Sequence, residues 1–104
     1  MDPKFNHQVI ELADLVSARL SDVDGLSAMV VAASGAVGMF ALGPPVVREG
    51  PRGIAIGMLC RDGHIVLHTA PLEGVCFVDI VARAPANVGR GIEVIVRRLT
   101  PAAT

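Results

Sequence analysis

The chain has 104 residues, of which 52% are hydrophobic and 18% are charged, and its formal net charge is −1. This length suits one domain with a single core and leaves no room for a second domain. The balanced charge excludes the broad basic field that binding to nucleic acid or to an anionic membrane surface requires.

The N-terminus and the hydropathy pattern argue against export and membrane insertion. The residues from Met1 to His7 lack a cationic stretch followed by a long apolar run, so they do not resemble a secretory signal. No segment reaches the roughly 20 uninterrupted apolar residues of a bilayer-spanning helix. Cys60 and Cys76 stand in apolar stretches, as buried free thiols do. We therefore expect a soluble, cytoplasmic protein with reduced thiols.

The N-terminal stretch allows two interpretations. Val9, Leu12, Val16 and Leu20 have the spacing of a helix, and periodicity alone favours that structure. The run from Val9 to Leu12 equally suits a buried strand. Periodicity therefore leaves residues 8 to 16 open between helix and strand.

A clear helical pattern follows. Apolar residues recur at steps of three and four from Val23 to Val37, which places them on one stripe of a helix. Ser21 and Asp22 are candidate caps for its start. Gly38 is the stop signal, because glycine adopts the left-handed conformation without steric cost. The pattern predicts a helix from about Leu20 to Val37.

Four apolar runs rich in β-branched residues come next, separated by turn signals that contain glycine and proline. They predict strands near Met39 to Val47, Gly53 to Cys60, His64 to Thr69, and Val75 to Ala82. The Asp62-Gly63 pair suits a tight hairpin turn. Connections this short join antiparallel neighbours.

The last element is a helix that opens after Asn87 and stops before Pro101. Its apolar stripe consists of Val88, Ile92, Ile95 and Leu99. Together the elements predict an α+β fold in two layers. We expect an antiparallel sheet of about five strands with two helices on one face.

The predicted strands are apolar on both faces. In the second of them, one set of alternate residues is Ile54, Ile56 and Met58, and the other is Ala55, Gly57 and Leu59. An antiparallel sheet with one wet face would alternate apolar and polar residues. We therefore expect the second face to be covered by the same face of another copy. The resulting homodimer would be a helix–sheet–sheet–helix sandwich with two-fold symmetry.

The segment from Gly63 to Asp79 holds the densest set of polar side chains in this apolar sheet. His64 and His68 share one strand face by the period-two rule, so two imidazoles can reach one cavity. We expect no metal there, because no third ligand lies near them in the sequence. Asp79 either orients a histidine or ends a hydrogen-bond ladder. His68, His64 and Asp79 are thus the candidate catalytic residues.

This segment resembles the central motif of the bacterial S-adenosylmethionine decarboxylases, roughly E-S-H-I-x-I-H-T-W-P-E-x-G-Y-x-x-x-D. The matching residues are His64, Ile65, His68, Thr69, Pro71, Gly74 and Asp79. The resemblance continues without gaps over about residues 7 to 98 and implies a link to polyamine synthesis. It also implies a strand at residues 7 to 13, which we adopt in place of the helical spacing.

In that family a serine attacks the preceding carbonyl, the resulting ester is cleaved, and the serine remnant becomes a pyruvoyl group. That ketone is the electron sink for decarboxylation. The position of the serine is Gly63 here, which has no nucleophilic side chain. We therefore expect no pyruvoyl group and no other cofactor.

Other positions that the resemblance marks as functional have changed as well. Ala55 replaces a Ser/Thr that assists processing, Glu49 an aromatic ring that stacks on adenine, Leu72 a substrate-contacting glutamate, and Arg83 the catalytic cysteine. The processing histidine, His68, is kept. The chain ends at Thr104, earlier than such proteins usually do, so we expect part of the usual C-terminal region to be missing.

Three functions follow as hypotheses. The first is a non-catalytic relative that binds a ligand or a partner, including a heteromer in which it regulates a true decarboxylase. The second is an enzyme with different chemistry in the same pocket, using His64, His68, Asp79 or a cysteine. The third is a conventional decarboxylase that tolerates Gly63, and the missing hydroxyl argues against it. In the first hypothesis the retained motif serves the fold and its hairpin geometry.

Overall fold

A computed structural model describes residues 2–100 and contains one five-stranded antiparallel sheet. The strands are β1 (Phe5–Leu12), β2 (Val46–Glu49), β3 (Ile54–Cys60), β4 (Gly63–Ala70) and β5 (Val75–Arg83). The helices are α1 (Ser17–Leu20), α2 (Val23–Val37) and α3 (Gly89–Leu99). The strand order across the sheet is β1-β5-β4-β3-β2. The α+β class, the five strands and the two long helices are as predicted.

The N-terminal stretch is a strand, and its helical spacing is misleading. β1 pairs with β5 along its whole length, from Phe5 opposite Arg83 to Leu12 opposite Cys76. The backbone hydrogen bonds and side-chain contacts of this pairing outweigh a weak local periodicity. The strand begins two residues before the predicted bounds of 7 to 13 and ends one residue earlier.

The predicted helix from Leu20 to Val37 is two helices. The single turn of α1 ends at Leu20, and α2 begins at Val23. Asp22 lies between them with extended backbone angles, and its side chain accepts a hydrogen bond from the Gly25 N–H at 3.1 Å. Asp22 is therefore the cap that starts α2. Gly38 ends α2 in the left-handed conformation, with φ 88°, as predicted.

The strand predicted from Met39 to Val47 is wrong in its bounds. The chain forms a ladder only from Val46, and upstream an isolated bridge joins Ala41 to Cys60. The physical reason is the Pro44-Pro45 pair, because proline has no backbone N–H to donate to a ladder.

The hairpin turn between β3 and β4 lies one residue earlier than predicted. Cys60 already pairs with Gly63, so the turn residues are Arg61 and Asp62. Asp62 adopts the left-handed conformation with φ 60°, which aspartate tolerates better than most side chains. Gly63 is therefore the first residue of β4, and the turn does not require a glycine at this position.

The core lies between the sheet and the two long helices. Its fully buried side chains include Ile56, Met58, Ile65, Leu67, Val78 and Ile80 from the sheet and Leu26, Met29, Val30 and Ile95 from the helices. Burial of a side chain of this size contributes about 1.5–3 kcal/mol. α3 begins at Gly89, one residue later than predicted, and its N-cap is Val88. The Asn87 side-chain oxygen accepts a hydrogen bond from the Gly89 N–H at 3.0 Å. Within residues 2–100, no helix has the length and apolar character needed to cross a membrane.

We call the other side of the sheet the open face, and none of the helices described between residues 2 and 100 covers it. Cross-strand partners share a face, so the register assigns its residues. They are Phe5, His7, Val9 and Glu11 of β1, Val46 and Arg48 of β2, Ala55, Gly57 and Leu59 of β3, His64, Val66, His68 and Ala70 of β4, and Val75, Phe77, Asp79, Val81 and Arg83 of β5. The open face is mostly apolar, with its polar groups gathered in a few places.

Candidate functional site

Three polar side chains of the open face meet where β1, β5 and β4 lie side by side. The Nε2 atom of His7 lies 2.9 Å from Oδ1 of Asp79, and Nε2 of His64 lies 3.6 Å from the same oxygen. The register explains the meeting. His7 and His64 both lie opposite Val81, and Asp79 is two residues from Val81 on the same face. We call this group the His7–Asp79–His64 cluster.

The cluster is partly open to solvent. Its side chains are 54%, 31% and 36% exposed in the order His7, Asp79 and His64. The carboxylate of Asp79 forms a hydrogen bond with His7 and can therefore orient that imidazole. Orienting a histidine is one of the two roles that the sequence leaves open for Asp79. In the part of the chain that the structure describes, no group of three or more His, Cys, Asp or Glu side chains is arranged to hold a metal ion.

His7 is the site residue that sequence reasoning missed. It lies 72 positions from Asp79 in the chain, and no local motif links the two. The available signal was the strand at residues 7 to 13. Once that strand is placed beside β5, the alternation of side chains puts His7 on the face of Asp79. The missing information was which strand β1 pairs with and in which register.

His68 lies elsewhere on the open face. It is four residues along β4 from His64, which corresponds to roughly 13 Å of strand. Its cross-strand neighbours are Ala55 and Phe77, and its side chain is exposed. The two histidines share a face, as predicted, but they do not reach one cavity.

Gly63 lies where the backbone of β4 comes very close to β5. A β-carbon built on Gly63 would overlap the carbonyl oxygen of Val81. It would also lie 3.1 Å from the Cα atom of Ala82 and 3.1 Å from the sulfur of Met39. Two of these three neighbours are backbone, which cannot rotate away. This position therefore admits no side chain unless the two strands separate.

The pyruvoyl group that the resemblance implies must be made from a serine at this position. Gly63 supplies neither the hydroxyl that attacks nor the β-carbon that the ketone retains, and the overlap with Val81 leaves no space for that carbon. The residues present do not fit this group or its precursor.

The other changed positions are spread over the molecule. Ala55 lies on the open face opposite His68. The guanidinium carbon of Arg83 lies 5.2 Å from the centroid of the Phe5 ring, which is a cation–π contact. Arg83 is six residues beyond Phe77 along β5, roughly 20 Å from the row of Ala55 and His68.

Glu49 and Leu72 lie together at the turn end of the sheet. They line a small depression of about 230 Å³, together with the turn that contains Pro51 and Gly53. Leu72 is 97% exposed. An exposed leucine and a carboxylate at this place offer neither the aromatic ring nor the glutamate that the resemblance implies there.

The retained motif residues have structural roles. The Thr69 hydroxyl is buried, donates a hydrogen bond to the Leu20 carbonyl at 2.8 Å and accepts one from the Ile54 N–H at 3.2 Å. Gly74 has φ 67°, a conformation that favours glycine, and its carbonyl accepts a hydrogen bond from the Leu15 N–H at 2.9 Å. These contacts support the expectation that the motif serves the fold.

Neither cysteine is suited to act as a nucleophile. Cys60 and Cys76 are both buried and free. Burial raises the pKa of the Cys76 thiol to about 11, and burial also raises the pKa of the Cys60 thiol. Both thiols are therefore protonated near neutral pH, whereas nucleophilic attack requires the thiolate.

Comparisons with known proteins identify the family of this chain. The family model described as S-adenosylmethionine decarboxylase matches residues 6–104. Among solved structures, the chain is similar to the crystal structure of the adenosylmethionine decarboxylase from Aquifex aeolicus VF5, with a TM-score of 0.83 and 18% sequence identity. That match covers 96% of this chain and 83% of the other. No curated protein matches the chain. The chain belongs to the S-adenosylmethionine decarboxylase family.

Proposed function

We propose that this protein is a family member that does not process itself and that acts by binding rather than by decarboxylation. The observation that supports this most strongly is Gly63, where the family chemistry needs a serine and where a β-carbon would overlap the Val81 carbonyl. The residues Ala55 and Arg83 support the same conclusion, because the family resemblance implies an assisting hydroxyl and a catalytic thiol at these positions.

Self-processing requires two steps at one residue. A side-chain oxygen must attack the carbonyl carbon of the preceding residue, and the ester so formed must then break by elimination across the α- and β-carbons. Gly63 has no side-chain oxygen and no β-carbon, so neither bond change has its atoms. Without the ketone, the amine of a substrate has no electron sink to condense with.

The intact mass of the purified protein tests this proposal. We expect one uncleaved chain of 10.8 kDa that hydrazine does not label. A family member that carries its pyruvoyl group is the positive control for the labelling. Two fragments separated before residue 63, or a reactive carbonyl on the native chain, would overturn the proposal.

The open face is the surface through which we propose that the protein binds, and its first occupant is a second copy of the chain. Exposed apolar side chains lie across it, namely Val9, Val46, Leu59 and Phe77, with exposed fractions of 49%, 53%, 71% and 38%. Several large apolar side chains exposed on one sheet face are typical of a protein–protein interface. Packing two such faces together would give the sandwich of sheets with helices outside.

The charges at the two edges of the open face are complementary under two-fold symmetry. One row of paired residues runs across all five strands, and its two outermost residues are Arg48 on β2 and Glu11 on β1. If two faces pack about a two-fold axis along the strands, the β2 edge of one copy covers the β1 edge of the other. Each Arg48 then faces a Glu11, and β4 lies over β4 at the centre.

Light scattering at micromolar concentration tests the homodimer. We expect twice the 10.8 kDa mass of the chain. Replacing Leu59 with aspartate should weaken dimerisation about 100-fold, because each of two copies would bury an unpaired charge at a cost of roughly 1–3 kcal/mol. Leu72→Asp is the matched control, since Leu72 is exposed but lies in a turn outside the open face, and it should stay dimeric. A monomeric wild-type chain would count against the homodimer.

The alternative occupant of the open face is a catalytically competent decarboxylase subunit. The shared fold supports this version, since an active subunit of the same fold would present a comparable sheet face. Mixing the two purified proteins would test it. If they neither co-elute nor change the decarboxylation rate, the heteromer is excluded.

A second candidate function, an enzyme with different chemistry, rests on the His7–Asp79–His64 cluster. A carboxylate 2.9 Å from an imidazole nitrogen can orient that histidine as a general base. A thermal-shift screen against small anions, nucleosides and amines would find a ligand of this cluster. Its binding should be lost in Asp79→Asn and kept in His68→Gln, because His68 lies outside the cluster.

A further inference from the structure

A cleft of about 710 Å³ lies in the helix layer, on the side of the sheet opposite the open face. It is formed by the end of α1, the start of α2 and the last turn of α3. Its floor is apolar and consists of Leu26, Met29 and Leu99, all of them core residues. This volume falls within the roughly 300–1,000 Å³ that is typical of small-molecule sites.

The rim of the cleft is strongly basic. Three arginines line it, Arg19 from α1 and both Arg97 and Arg98 from α3, against a single acidic residue, Asp22. The carboxylate of Asp22 already caps α2 by accepting from the Gly25 N–H. Across residues 2–100, the basic side chains within 4 Å of a carboxylate are His7 and His64, both beside Asp79, so the three guanidinium groups have no carboxylate partner there.

One arginine of the rim is held in place by the protein itself. The Nη1 atom of Arg19 donates a hydrogen bond to the Arg98 carbonyl at 2.6 Å, which ties α1 to the end of α3 across the cleft. The other N–H groups of that guanidinium remain available as donors. Arg97 and Arg98 also complement the negative end of the α3 dipole. Arg19 complements the ends of two helices, because it lies in the last turn of α1 and donates to a carbonyl at the end of α3.

We propose that this cleft binds a small organic carboxylate with an apolar body. The apolar part would lie over Leu26 and Met29, and the carboxylate would accept hydrogen bonds from the arginines of the rim. The planar fork of a guanidinium matches a carboxylate in geometry as well as in charge. A cationic ligand of the same shape meets like charge at the rim. The site lies apart from Gly63 and the open face, so it does not depend on the proposed function.

Octanoate is a suitable probe for this site, and amide chemical shifts of the full, ¹⁵N-labelled chain locate its binding. We expect octanoate to shift the amide signals of Gly25, Leu26 and Thr100 and to leave those of His64 and Phe77 unchanged. Octylamine, which has the same chain length and the opposite charge, should shift none of them. Raising the salt concentration should weaken the binding of octanoate, because the attraction at an exposed rim is screened.

Arginine variants of α3 show whether the rim arginines bind octanoate directly or affect its binding only by stabilising the helix. Arg97→Ala and Arg98→Ala should each weaken octanoate binding about tenfold, as loss of a hydrogen bond to a charged group does. Arg90→Ala is the matched control, because Arg90 lies at the other end of the same helix and outside the cleft. The control should bind like the wild type, and the amide spectra of all three variants would verify that they fold.

Several results would overturn the proposal. No shift of the cleft amides at millimolar octanoate, equal binding of octylamine, or equal affinity in all three arginine variants would each do so. Octanoate could also bind only to a variant that ends at Thr100. That result would show that residues 101–104 compete for the cleft, and it would overturn the proposal as well.

Discussion

Replacement of Gly63 with alanine is expected to lower the free energy of unfolding by about 1–3 kcal/mol, the usual cost of overpacking. The new β-carbon would overlap the carbonyl oxygen of Val81 and press on the Cα atom of Ala82, so β4 and β5 would have to separate locally. Urea denaturation followed by far-ultraviolet circular dichroism is the appropriate measurement, because the chain has no Trp or Tyr to report by fluorescence.

Gly57→Ala is the matched control for this substitution. Gly57 is also a sheet glycine, but the nearest atom to a β-carbon there is Cγ2 of Val66 at 3.9 Å, an ordinary contact. We expect this change to alter stability by no more than about 0.5 kcal/mol. A Gly63→Ala variant as stable as the Gly57→Ala variant would show that the strands yield easily at residue 63.

Gly63→Ser tests whether a serine at this position is enough to make the chain cleave itself. It should be destabilised like Gly63→Ala and should remain uncleaved, because the added hydroxyl would lie in a distorted strand pair and because Ala55 has no hydroxyl at the position where the resemblance implies an assisting one. Cleavage before residue 63 in this variant would show that the missing serine alone separates the chain from a processing relative. The wider loss of function proposed here would then be wrong.

The sequence shows that Gly63 has no hydroxyl, but it does not show that the fold leaves no room for a side chain at this position. The Asp-Gly pair suggests a glycine that serves a turn, whereas Asp62 supplies the left-handed turn residue with φ 60°. Gly63 is instead needed for its small size against Val81. That need depends on how closely β4 and β5 approach, and no residue near Gly63 in the chain determines it.

Sequence patterns predict features that depend on nearby residues better than features that depend on residues distant in the chain. Asp22 and Gly38 act on backbone groups within a few residues, so the start and the end of α2 can be derived from sequence patterns. The strand at β1 depends on pairing with β5, so the sequence pattern left helix and strand open there, and the family resemblance decided for the strand. Period-two alternation placed His64 and His68 on one face, but it did not place Asp79 of β5 and His7 of β1 beside His64.

Two of the motif positions that this chain keeps are fixed by contacts within the fold, whereas the kept His64, His68 and Asp79 lie on the open face. Thr69 is buried and Gly74 has positive φ, and each makes a hydrogen bond that another element of the fold depends on. Ala55, Leu72 and Arg83 lie on the open face or in a turn, where the fold accepts many side chains. Changes at these three positions are therefore compatible with the fold.

Thr69→Val is expected to lower the free energy of unfolding by about 2–4 kcal/mol. Valine has nearly the shape of threonine, so the packing is retained while the hydroxyl is lost. The Leu20 carbonyl would lose the donor at 2.8 Å, and the Ile54 N–H would lose the acceptor at 3.2 Å. Each buried group left without a partner costs about 1–3 kcal/mol. Chemical denaturation of the variant and the wild type measures the difference.

Thr69→Ser is the control, since serine keeps the hydroxyl and removes only a methyl group, at a cost of about 1 kcal/mol. If the two variants prove equally stable, the hydroxyl is not what holds Leu20 against the sheet. The pair also reports on the cleft, because Leu20 follows Arg19 directly and its carbonyl is the point at which β4 fixes the end of α1. We therefore expect Thr69→Val, but not Thr69→Ser, to displace Arg19 from the Arg98 carbonyl and to shift the amide signals around Gly25 in the absence of any ligand.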